Sequence, residues 1–62
     1  MKFTRKDRGG TAHVLAVVGQ RVLVAFRWRQ KGDVQDRENI LFLPRAYFAE
    51  KYGANAATRV FA

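Results

Sequence analysis

The chain has 62 residues, with 12 Lys or Arg against five acidic residues, a formal charge of +7 and an apolar share of 48%. A length of this order holds one domain, residues 1–62, and buries only about 60% of the surface exposed when unfolded. Cysteine is absent, which excludes a disulfide framework, a thiolate metal site and a thiol nucleophile, while the apolar share argues against disorder.

The apolar runs Val14–Val18 and Ile40–Leu43 are far short of the roughly 20 residues that span a bilayer. Met1–Gly10 is basic but is not followed by the apolar core of a secretory signal. A cytoplasmic protein without membrane contact is the expectation.

Residues 1–8 form a basic N-terminal arm carrying Lys2, Arg5, Lys6 and Arg8, and Asp7-Arg8-Gly9-Gly10 supplies turn chemistry. A three-stranded meander is expected over residues 11–43. In Thr11–Val18, strict alternation puts Ala12, Val14, Ala16 and Val18 on one face, with His13, Leu15 and Val17 on the other. Gly19-Gln20 is a tight hairpin turn. The next strand has the clearest period of two: Val22, Val24, Phe26 and Trp28 point to the core, while Arg27 and Arg29 point outward.

Gln30–Asp33 makes the second turn, whose tip extends through Val34–Glu38; the segment Asp33–Glu38 has a net charge of −2 and is expected to be solvated. Asn39–Leu43 is a third strand, apolar on both faces. Pro44 ends it and opens a short helix within 44–53, since proline cannot donate to a ladder but suits a first helical turn. Phe48 and Tyr52 share a helix face at a spacing of four, and Gly53 occupies the C-cap position. Residues 54–57 are readable as loop or helical turn, and 58–61 as a last strand. The fold class is therefore mostly β. It is either a small SH3-like barrel or a strongly bent antiparallel meander with one short C-terminal helix, ahead of an open three-stranded sheet packed on the helix.

Catalytic machinery is not legible. Serine is missing, and His13 is the sole histidine, so neither a Ser-His-Asp arrangement nor a multi-histidine metal site can be built. Four of the five acidic residues fall at turns or loops, and Gly9-Gly10 lacks the spacing of a phosphate-cradling loop. A non-enzymatic chain without cofactor or metal is expected.

The cations suggest a partner. Arg5, Lys6 and Arg8 of the arm, with Arg21, Arg27, Arg29 and Lys31 along the second hairpin, form the footprint of a DNA- or RNA-binding face. Trp28, between two arginines, is a core or rim residue by its strand phase and a base-stacking platform by its neighbours. The alternative is an adaptor for a host protein, phage- or mobile-element-encoded, using Tyr47, Phe48 and Tyr52 as its contact surface. In the simpler reading, Phe48 and Tyr52 fill the core and Tyr47 covers Leu43. A homodimer through an edge strand is compatible with either function.

Asp7-Arg8-Gly9-Gly10, the Val-rich hairpin, Val24-Ala25-Phe26-Arg27, Pro44 and Tyr47–Tyr52 together resemble short prophage-encoded proteins with an SH3-like plan. This resemblance covers about residues 7–52 and implies a setting rather than a mechanism. The start Phe3-Thr4-Arg5-Lys6 and the hairpin Val18–Val22 are similar to CsrA-type RNA regulators. That likeness implies an intertwined dimer binding GGA-containing RNA through its first and last strands.

Overall fold

The computed structural model describes residues 1–7, 9–32 and 34–62. Four strands, β1 (Lys2–Thr4), β2 (Thr11–Val18), β3 (Arg21–Trp28) and β4 (Arg37–Pro44), precede two helices, α1 (Arg45–Tyr52) and α2 (Ala54–Phe61). The strands form one antiparallel sheet in the order β1-β2-β3-β4, so each pairs with its neighbour in sequence. The protein is mostly β, as expected, and its sheet is an open meander. β1 and β4 remain its two edges, and the closure of an SH3-like barrel is not seen among the described residues.

β3 sits centrally and carries the core. Val24 pairs with Val14 and Leu41, Phe26 with Ala12 and Asn39, and Val22 with Val17 and Leu43. Directly opposed residues share a sheet face, so these positions line one side. Both helices pack on that side: Phe48 is fully buried, and Tyr52, Ala56 and Val60 join Ala12, Val22, Val24 and Phe26 in one cluster. The Phe48 and Tyr52 rings meet edge to face with centroids 4.7 Å apart, a favoured aromatic geometry.

Four expectations are corrected. The basic arm, expected to be flexible, is ordered over residues 2–6: Lys2–Thr4 pairs with Thr11–His13, and the Lys6 amide donates to the Lys51 carbonyl at 2.9 Å. Phe3 supplies the reason, because its ring packs edge-on against Phe48. The third meander strand starts at Arg37 rather than Asn39, so Arg37 and Glu38 belong to the ladder and not to the turn. Residues 58–61 are the end of α2, not a strand. Three alanines favour the helix, and helical phase buries Ala56, Ala57 and Val60 together. There are thus two short C-terminal helices. Finally, the register shifts between Val14 and Ala16. This bulge breaks the strict alternation: Val17, not Ala16 or Val18, lies on the core face opposite Val22.

Gly53 joins the helices at φ 107°, a backbone conformation suited to glycine. Its amide donates to the Ala49 carbonyl to finish α1, and its carbonyl accepts from the Ala57 amide to start α2. Pro44 is the extended residue before α1, and the Arg45 amide donates to the Gln20 carbonyl at 2.8 Å. That bond ties the helix layer to the β2–β3 turn. No helix among the described residues is long and apolar enough to cross a membrane.

Candidate functional site

Because both helices lie on one side, the other side of the sheet is left open, and its residues follow from the register. One row runs Glu38–Arg27–Thr11–Thr4, the next Ile40–Ala25–His13–Lys2, then Phe42–Leu23–Ala16 and Pro44–Arg21–Val18. The middle of this face is apolar and exposed: Ile40 is 57% and Phe42 48% accessible, as is the bulge residue Leu15 at 51%. Cations stand at its ends. A shallow depression of ≈ 710 Å³ runs between Lys2, His13, Leu15, Arg27, Arg29 and Ile40.

Two of the arginines are paired with carboxylates, Arg27 across the β3–β4 ladder and Arg29 just beyond it. Arg27 Nε donates to Glu38 Oε2 at 2.6 Å, and Arg29 Nε to Asp36 Oδ1 at 3.0 Å. The hydrogen bond that Arg27 donates to the Glu38 carboxylate raises the already high pKa of its guanidinium. Both pairs are exposed, where solvent screening leaves an ion pair weak. An incoming phosphate can therefore displace the carboxylates. Arg21 projects its guanidinium 5.8 Å from the centroid of the Phe42 ring.

Of the cations expected to form one basic face, Arg21, Arg27 and Arg29 do share the open side, and exposed Lys31 lies in the adjoining turn. Arg5 and Lys6 lie toward the helix layer instead. Arg5 is 8% accessible and grips Asp7 with two bonds, Nε to Oδ1 at 2.5 Å and Nη2 to Oδ2 at 3.2 Å. Its guanidinium lies 5.9 Å from the centroid of Phe26. Burial thus makes Arg5 a structural cation. Arg8 lies outside the described residues, as does Asp33 of the acidic turn.

Asp7 also accepts from Lys51 Nζ at 3.4 Å. The Arg5 hydrogen bond, followed by that of Lys51, lowers the Asp7 carboxyl from 3.8 to about 2.

The aromatic surface expected on the helix is not one surface. Phe48 and Tyr52 turn into the core, and Tyr47 alone is exposed, at 37%. Tyr47 instead forms one wall of a second cleft on the helix side, ≈ 380 Å³ in volume, together with Arg5, Phe26, Trp28, Leu41 and Leu43. Trp28 stacks on Phe26 there, with centroids 5.6 Å apart and planes 23° from parallel. It is partly buried and borders both depressions, so it is a rim residue.

Leu15, Ile40 and Phe42 were not singled out from sequence, and Lys2 and His13 were read there only as an arm cation and the sole histidine. The two-sided apolarity of Asn39–Leu43 was the available signal, since a strand with helices on one side only must expose half of such a run. Among the described residues no three of His, Asp and Glu converge as metal ligands. Compared with protein-family models, with curated proteins and with solved structures, the chain shows no match.

Proposed function

We propose that this chain is a non-enzymatic, cytoplasmic nucleic-acid-binding module that takes a single strand of DNA or RNA across its open sheet face. One observation carries the reading: the uncovered face joins exposed apolar side chains, one of them aromatic, to Lys2, Arg21, Arg27 and Arg29 in a chain of charge +7. Unstacked bases need apolar and π surface, and their phosphates need cations; a duplex offers only the second requirement on its outside. Reading a duplex through its major groove would need a projecting helix or ribbon. Here α1 and α2 both pack on the sheet. A host-protein adaptor working through the helix would have only Tyr47 of its three expected rings to offer.

The test is fluorescence anisotropy with labelled single-stranded DNA, single-stranded RNA and duplex DNA, each at two or more salt concentrations. Single strands are expected to bind best. Four phosphate contacts, from Lys2, Arg21, Arg27 and Arg29, give a log–log salt slope of about −3. Absence of binding at low salt, or tighter binding of duplex than of either single strand, would overturn the assignment.

A further inference from the structure

We infer that the helix-side cleft between Trp28 and Tyr47 is a capture site for one unstacked base of the strand bound on the open face; this rests on the reading above. Trp28, at the end of β3, lines both the cleft and the open depression. A strand leaving the open face at Arg29 meets the end of the sheet, where exposed Lys31 lies in the following turn. Turning one base over that end brings it against the Trp28 side of the cleft while its phosphates stay beside Arg27, Arg29 and Lys31.

The chemistry of the cleft suits a planar heterocycle. Trp28 is already stacked on Phe26, Tyr47 faces in from α1, and Leu41 and Leu43 form an apolar floor. Asn39, opposite Phe26 in the ladder, also lines the cleft, and its amide makes no hydrogen bond to the described residues. An amide carries donors and an acceptor, the combination that meets the edge of a base. At ≈ 380 Å³ the cleft lies at the small end of the range of roughly 300–1,000 Å³ for ligand pockets. One base with its sugar fits this size better than an extended peptide does.

Trp28 is the sole tryptophan, so its emission reports on both depressions it borders, and Tyr47, which lines the cleft alone, tells them apart. A short oligothymidylate is titrated into the protein while Trp28 fluorescence and the anisotropy of a label on the strand are followed together. The expected result is quenching that saturates with the anisotropy and shrinks when the strand carries abasic sites. Tyr47→Ala should weaken binding roughly tenfold, the usual worth of a base–aromatic stack, with an unchanged far-UV circular dichroism spectrum. Anisotropy that rises without quenching, or with equal quenching by abasic strand, overturns the base-capture site and leaves the open-face reading standing. No anisotropy change at low salt overturns both. Stronger quenching by a proline-rich peptide than by the oligonucleotide overturns the base-capture site in favour of a peptide groove.

Discussion

Gly10 lies so close to Phe26 that a β-carbon at Gly10 would sit 2.5 Å from Cζ of the ring and 3.1 Å from the Arg27 carbonyl oxygen. The chain can turn from the N-terminal strand into β2 at this point only because no side chain stands there. The same ring forms part of the helix-side cleft and supports Trp28.

Gly10→Ala is therefore expected to cost about 3 kcal/mol, combining a left-handed φ of 97° with overlap against the ring. In a domain of this size that lowers Tm by roughly 12–24 °C. Gly9→Ala is the control. Its φ is also positive, but nothing lies within 4 Å of the added methyl, so about 1 kcal/mol is expected. Thermal melts of the two variants check the contrast; equal losses would show that the ring contact contributes nothing.

Phe48 and Tyr47 are adjacent in sequence and opposite in role. Phe48→Ala removes a fully buried ring and should cost about 3–5 kcal/mol. A 62-residue domain has only about 3–9 kcal/mol in total, so the loss should take from about a third of the stability to all of it. Tyr47→Ala should change stability by less than about 1 kcal/mol. Urea titrations followed by circular dichroism separate the two.

The Arg5–Asp7 pair sets a pH dependence. The folded Asp7 carboxyl titrates at about 2, below its ordinary 3.8. Its contribution is full above the unfolded value and is lost as the pH falls through the folded one. Asp7→Asn should therefore be less stable than the parent at neutral pH, with the gap closing as the pH approaches about 2. Urea midpoints of both proteins along this range provide the check; a gap independent of pH would mean that Asp7 acts by shape rather than by charge.

On the open face, Glu38 competes with any phosphate for Arg27. Glu38→Gln is expected to tighten single-strand binding by up to about fivefold, the worth of an exposed ion pair. Arg27→Ala with Arg29→Ala should weaken binding and reduce the steepness of the log–log salt dependence by about 1.4. Affinities measured across a salt series distinguish these effects from a general change in charge. If both variants bind like the parent, the strand does not cross this face.

Much of the fold was legible wherever a short window of sequence contains the determining contacts. The alternation from Val22 to Trp28 names the core face of β3, since each strand side chain points opposite to its neighbour. Gly19-Gln20 marks its hairpin, and Pro44, Phe48, Tyr52 and Gly53 mark α1 and its ends. The outward placement of Arg27 and Arg29 follows from the same period.

What tertiary structure alone decided depends on partners distant in the chain. Lys2–Thr4 is a strand because β2 accepts it and because Phe3 reaches Phe48, 45 residues on; a basic start has no such pattern by itself. The bulge at Leu15 exists only relative to β3, and it changes which of Ala16, Val17 and Val18 face the core. Residues 58–61 carry a short apolar run that either a strand or a helix can use, and burial of Ala56, Ala57 and Val60 with the sheet selected the helix. The candidate site belongs to this second group. Sequence determined that the chain is basic and which strand face its arginines occupy. Register and the one-sided helix layer decided that Lys2, Ile40 and Phe42 join those arginines and that Arg5 does not, because burial and cross-strand pairing are set by the assembled sheet.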